Sequence, residues 1–289
     1  MERRESTGLS SDVVVGGLLF PESPRWHAGA LWFSDMYAGR VYKLVPGTPA
    51  PKLIVELPDR PSGLGWLPDG RLLVVSMGSR EILRLDPEGL AVHADLSDLV
   101  TGDPNDMVVD SSGRAYVGNF GKGYAEGDAV EPANLVMVEP DGTSRVVADD
   151  LLFPNGCVIS PNGARLIVAE GLRHVLTEFT VEPSGELSRR REFADLGGEI
   201  PDGIALDEEG AVWVALPLRQ QFVRVSRGGG FSDHISVDPL GAFACTLGGK
   251  DRRTLFMCTT LGGPEEIRNR ASKGAIMAAQ VPIAGAGTP

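Results

Sequence analysis

The sequence predicts an all-β fold: a six-bladed β-propeller with four-stranded antiparallel blades around a central channel. Three observations lead there. A hairpin-like pattern recurs six times at intervals of roughly 40–50 residues, the period of a propeller blade. The 289 residues include 37 glycines and 21 prolines without any low-complexity tract, as many turns and short strands require. No long apolar stripe of helical period runs through the chain, which removes a barrel of alternating strands and helices.

The six copies are SPRWHAGALWFSD (23–35), GLGWLPDGRLLVVS (63–76), DMVVDSSGRAYVGN (106–119), GCVISPNGARLIVAE (156–170), GIALDEEGAVWVAL (203–216) and ACTLGGKDRRTLFMCT (244–259). Each joins two short apolar runs through a tight turn, the signature of a hairpin. The turn glycines Gly29, Gly70, Gly113, Gly163 and Gly210 lie 41, 43, 50 and 47 residues apart, and the sixth turn is the irregular GGKDRR. A third run follows each hairpin, for example GRVYKLV, REILRLD and VLTEFTV. A fourth, such as KLIVEL (52–57), SRVVA (144–148) or REFADL (191–196), precedes the next copy. Leucine-rich and ankyrin repeats are shorter than this period. With no linker dividing the chain, residues 1–289 read as one domain, its core about 13–282 and its termini loose.

Composition narrows the function classes. A net charge of −12 argues against nucleic acid or an anionic membrane as partner, since both call for a basic face. Cys157, Cys245 and Cys258 form no CxxC pair, so neither a redox motif nor a zinc knuckle is expected. The N-terminal apolar stretch is short and broken by glycine; it reads as neither a signal peptide nor a membrane span, and the expected location is cytoplasmic. Oligomeric state is not readable.

The chemistry is expected just upstream of the repeats. Five copies are preceded by Pro21-Glu22, Pro61-Ser62, Pro104-Asn105, Pro154-Asn155 and Pro201-Asp202, at matching distances from the turn glycine. Equivalent places in successive blades face the propeller axis, so Glu22, Asn105, Asn155 and Asp202 are expected to converge at one end of the channel. Two carboxylates and two amides form a hard oxygen set suited to Ca²⁺, with Mn²⁺, Mg²⁺ and Zn²⁺ as alternatives; without histidine or cysteine it is a poor zinc site. Taken singly, each of these residues reads as a turn or strand-start residue; the case rests on the four together.

These segments, PESPRWHAGALWFSD, PNDMVVDSSGRAYVG, LLFPNGCVISPNGARLIVAEG and IPDGIALDEEGAVWVA, resemble the family of senescence marker protein, gluconolactonase and luciferin-regenerating enzyme over about residues 15–282. The resemblance implies a six-bladed propeller in which Glu22, Asn155 and Asp202 hold one metal, while Asn105 lies beside it and touches substrate. Family members use calcium or other divalent ions. The Glu/Asn/Asn/Asp set also resembles, more weakly, that of diisopropyl fluorophosphatase. The chain departs from gluconolactonase-type members two residues before Asn105, where they carry arginine and this sequence has Asp103. Asp103 reads either as a substrate-contacting carboxylate that favours a neutral or cationic, less oxygenated lactone, or as the cap of the Gly102-Asp103-Pro104 turn.

The expected activity is metal-dependent opening of a small lactone or ester, with Asp202 taking a proton from the attacking water. Asn105 and Asn155 orient the substrate. The alternatives are a calcium-stabilised binding or scaffold propeller and a phosphotriesterase-like hydrolase on the same site. Residues 118–134 form a glycine-containing insertion, a lid or a plain surface loop, within which Tyr124 and Glu126 are candidates for substrate contact. No Gly-x-Ser-x-Gly elbow is present, the histidines lack ligand spacing, Cys157 reads as a structural thiol, and Trp32, Trp66 and Trp213 read as core.

Overall fold

The computed structural model of the chain describes residues 9–123, 129 and 131–287. Among them, 24 strands form six four-stranded antiparallel sheets, the six blades of a propeller. Strand β1 (Asp12–Leu18) comes first but belongs to the last blade. Blade 1 contains β2 (Pro21–His27), β3 (Ala30–Asp35), β4 (Arg40–Leu44) and β5 (Lys52–Glu56). Blade 2 contains β6 (Pro61–Trp66), β7 (Leu72–Ser76), β8 (Glu81–Asp86) and β9 (Gly89–Asp95). Blade 3 contains β10 (Pro104–Val109), β11 (Ala115–Asn119), β12 (Ala133–Val138) and β13 (Ser144–Leu151). Blade 4 contains β14 (Pro154–Ile159), β15 (Arg165–Glu170), β16 (Val175–Val181) and β17 (Leu187–Asp195). Blade 5 contains β18 (Ile204–Leu206), β19 (Val212–Leu216), β20 (Gln221–Val225) and β21 (Phe231–Ser236). Blade 6 contains β22 (Gly241–Gly248), β23 (Thr254–Leu261), β24 (Lys273–Gln280) and, outermost, β1.

The ring closes through β1, which pairs with β24 in the register Asp12↔Ala278 to Leu18↔Gly274. This ties the N-terminal segment to the last strands of the chain within one sheet. The C-terminal segment, expected to be loose, instead docks on the inner strands. Ala284 is buried, Gly285 bridges Asp207, and the Ala286 N–H donates to Leu206 O at 3.0 Å. Together with Arg25, Cys157 and Cys245, residues Gly285–Gly287 line a small cavity.

Apolar side chains fill the spaces between blades, with Trp213, Tyr116, Phe33 and Phe222 fully buried. Trp32 and Trp66 are only half-buried; they meet edge to face, and His27 stacks on Trp66 with ring centroids 3.9 Å apart. Among the described residues, no helix is long and apolar enough to cross a membrane.

Two kinds of glycine shape the repeat. The hairpin glycines, such as Gly70 and Gly210, take φ of 87° and 79°, where a Cβ is strained. Gly63, Gly156 and Gly203, each directly after a channel residue, have no positive φ and serve close approach instead. A Cβ on Gly63 would lie 2.5 Å from Met107 N, one on Gly156 2.6 Å from Ile204 N, and one on Gly203 2.6 Å from the Ala244 Cα. The inner strands thus press against their neighbours and keep the channel narrow.

Candidate active site

A repeated irregularity aims the candidate side chains. In blade 1 the register passes from Glu22↔Ser34 to Arg25↔Trp32, so the inner strand carries one residue more than its partner. The same extra residue occurs between Pro61 and Leu64, Pro104 and Met107, and Pro154 and Cys157. Such bulges redirect side chains locally.

A second device holds the approach to each bulge. The residues paired with the four prolines are Asp35, Ser76, Asn119 and Glu170, all buried and polar. Asp35 accepts the N–H groups of Leu19 and Phe20, the latter at 2.8 Å. Asn119 accepts Gly102 N at 3.2 Å, and Glu170 accepts Leu152 N at 2.9 Å. Ser76 donates to Asp59 at 2.8 Å, and Asp59 accepts the Arg60 N–H at 2.7 Å. The segments leading to Glu22, Ser62, Asn105 and Asn155 are therefore tied to their own second strands, whereas Asp202 precedes its strand and is held by its N–H on Ala215 O at 3.0 Å.

The chain residues expected at the channel meet there. Ser62 Oγ donates to Asn105 Oδ1 at 2.8 Å, and Asn105 Nδ2 donates to Asn155 Oδ1 at 2.7 Å. Asn155 hydrogen-bonds Asp202, and the Glu22 carboxylate acts on Asp202 from blade 1. Ser62, Glu22, Asn105 and Asn155 are buried, and Asp202 alone of the five is half-buried.

Across the channel, Arg25 of blade 1 pairs with Asp106 of blade 3 at 2.5 Å and donates to Met107 O at 2.7 Å. Both side chains are buried. Burial pushes Glu22 up to about 8; the Ser23 N–H and Arg25 pull it down, and Asp106 pushes it up. Asp202 is pushed well above the carboxylate range, first by burial and then by Glu22 and Asp106. Once a cation displaces their protons, the two carboxylates and two amide oxygens would form a hard, doubly anionic donor set, which fits a divalent ion such as Ca²⁺. Among the described residues no trio of His, Cys, Asp and Glu forms a metal cage, and the set here relies on its amides. Burial raises all three thiols, so none is poised as a thiolate nucleophile.

A series of aromatic and charged groups precedes the inner strands. The rings of Phe243 and Phe20 lie 4.6 Å apart and those of Phe20 and Tyr37 5.6 Å. Arg60 follows, in the field of Tyr37, and its Nη2 donates to Asp103 Oδ2 at 2.6 Å. Asp103 O accepts the Phe120 N–H at 3.1 Å, and Phe120 stacks on Phe153 at 4.6 Å. Phe20, Arg60, Asp103 and Phe153 each directly precede the proline of an inner strand.

This corrects the electrostatic expectation for Asp103. Its carboxylate is no lone negative charge at the mouth, because Arg60 pairs with it and Arg80 Nε lies 4.0 Å away. Tyr124 and Glu126 lie outside the described residues, as does the middle of the 118–134 insertion. Sequence reasoning also left Ser62, Arg25, Asp106 and Arg60 out of the site. Ser62 and Arg60 carried a signal, since they occupy the ranks of Asn105 and Asp103 one blade earlier. Arg25 and Asp106 carried none, because their pairing crosses the channel.

Residues 20–261 match the family model described as SMP-30/Gluconolactonase/LRE-like region. The chain is 26% identical over 283 residues to 6-deoxy-6-sulfogluconolactonase of Pseudomonas putida, covering 93% of each. It is 25% identical to gluconolactonase of Zymomonas mobilis, covering 71% of this chain and 67% of the relative. Its fold superposes on a calcium-binding protein, regucalcin, from Agrobacterium tumefaciens with a TM-score of 0.81, 20% identity and 98% coverage of both chains.

Proposed function

We propose that this chain, which belongs to the SMP-30/Gluconolactonase/LRE-like family and with it to the lactonase-type hydrolases, opens a small sugar-like lactone in a divalent-cation-dependent reaction. The observation that carries the proposal is the hydrogen-bonded run Ser62–Asn105–Asn155–Asp202, with Glu22 facing Asp202 at the channel mouth. The names of the two lactonase relatives support a lactone substrate, and the calcium-binding regucalcin supports Ca²⁺ as the ion.

Glu22, Asn155 and Asp202 would hold the cation, with Asn105 beside it. When bound, the cation supplies Lewis-acid polarisation of the lactone carbonyl. The protein's own residues do the rest. Ser62 holds the Asn105 amide so that it is directed at the substrate. Asp202, which the cation would keep ionised, removes a proton from the water that attacks the carbonyl carbon. The ring C–O bond then breaks. Asp202 returns the proton to the departing ring oxygen, leaving a hydroxy acid. The buried Arg25–Asp106 pair, further along the same inner strands, adds one positive and one negative charge, so Glu22 and Asp202 keep their net demand for a +2 ion.

The test is a panel of lactones and esters assayed after chelation and after add-back of Ca²⁺, Mn²⁺, Mg²⁺ or Zn²⁺. Lactone opening that is lost on chelation and restored by a divalent ion supports the reading. A protein that restores its ion stoichiometrically and opens no member of the panel refutes it.

A further inference from the structure

Beside the channel residues, an arginine and an aspartate stand among aromatic side chains. Between Tyr37 on one side and Phe120 on the other, the series is completed by Arg60 and Asp103. This pair offers a polar contact for a substituent on the substrate. Arg60 and Asp103 stand two residues outside Ser62 and Asn105, whose side chains are bonded to each other. Two residues of strand span roughly 6–7 Å, which places the pair opposite the far end of a sugar-sized lactone whose carbonyl sits at the amides.

The geometry of the guanidinium suits an oxyanion there. A guanidinium carries five N–H donors in a rigid fork. Asp103 engages Arg60 through Nη2 at 2.6 Å, and about a third of the Arg60 side chain (35%) remains exposed. Arg80, 37% exposed, adds a second guanidinium at 4.0 Å from the same carboxylate. The other acid nearby, Asp59, accepts from the Arg60 and Ser79 N–H groups and the Ser76 hydroxyl rather than from the Arg60 guanidinium. Asp103 thus fixes the direction of Arg60 without using its donors up, and the fork matches the two oxygens of a carboxylate or a similar oxyanion.

We propose that Arg60, oriented by Asp103, is a specificity-determining residue that selects lactones bearing an anionic substituent over their neutral counterparts. The proposal rests on the lactonase reading for its reaction but on the Arg60–Asp103 geometry for its ligand. The test compares glucarolactone, which carries a free carboxylate, with neutral gluconolactone, using wild type, Arg60→Ala and Arg60→Lys.

Wild type is expected to favour glucarolactone. Arg60→Ala should lose on the order of tenfold in kcat/KM for glucarolactone, through KM, and less than about twofold for gluconolactone, with Arg60→Lys between. An equal loss on both lactones, or none, overturns the proposal and leaves Arg60 a structural partner of Asp103. If wild type opens neither lactone, calorimetric binding of the same two compounds decides the ligand. Binding of glucarolactone that Arg60→Ala abolishes sustains the proposal, and absent or unchanged binding ends it.

Discussion

Asn105 and Asn155, fifty residues apart in sequence, share a side-chain hydrogen bond of 2.7 Å at the channel mouth. The bond fixes both amides: Asn105 turns its nitrogen to Asn155 and its oxygen to the Ser62 hydroxyl, and Asn155 reaches on to Asp202. Three blades are joined to a fourth by a single polar run that no local feature of the chain announces.

Cutting that run in the middle should disable the site before it unfolds the protein. Asn155→Ala leaves Asn105 and Asp202 without their common partner. The expected cost is about 1–3 kcal/mol in chemical denaturation, together with a loss of lactone hydrolysis of at least ~10². Wild-type turnover in this variant would show that the run is incidental.

The Arg25–Asp106 pair makes a sharper prediction about stability. Both side chains are buried, so removing one leaves an uncompensated charge. Arg25→Met should cost about 3–5 kcal/mol, and adding Asp106→Leu should recover part of it. Urea unfolding of the two single variants and the double variant checks this; additive losses would contradict a direct pair.

The raised carboxylates predict an unusual pH dependence. Glu22 moves from an ordinary value of 4.5 to about 8 in the folded protein. The folded state therefore holds a proton that the unfolded chain releases. Its contribution to stability is complete below 4.5 and is lost as pH rises towards 8, with a slope of at most ~1.4 kcal/mol per pH unit. Asp202 shifts in the same direction. Melting of chelated protein should fall across this window, whereas Ca²⁺ should stabilise increasingly as pH rises, because the cation displaces the protons. Parallel curves with and without Ca²⁺ would contradict it.

The two glycine types should separate stability from activity. Gly210→Ala meets nothing within 4 Å and strains only a hairpin turn, so it should cost roughly 1 kcal/mol and leave activity intact. Gly203→Ala drives a methyl group against Ala244 directly beside Asp202. It should cost about 1–3 kcal/mol and lower hydrolysis as well. Melting temperatures and rates measured side by side distinguish the two.

These contrasts mark what was readable. Gly29, Gly70, Gly113, Gly163 and Gly210 announce hairpins because their position demands positive φ, and the alternation around them marks the strands. The positional match of Glu22, Asn105, Asn155 and Asp202 locates one end of the channel because equivalent blade positions face one axis. The bulges were not readable, since an extra residue is visible only against its partner strand. Asp103 misled because its charge was read alone, while its partner Arg60 lies on another blade. The closure of blade 6 by β1 depends on the whole ring having formed.

The central claim is a divalent-cation-dependent hydrolysis in which Asp202 moves the proton. The most direct measurement is the rate of lactone opening by chelated protein as Ca²⁺ is titrated in, for wild type and for Asp202→Asn, with bound ion counted in both. The account predicts negligible turnover without the ion and recovery of wild type at one equivalent. It predicts a rate at least ~10² lower in the variant even where the ion is retained. Full turnover by the chelated protein, or wild-type turnover by ion-loaded Asp202→Asn, would contradict it.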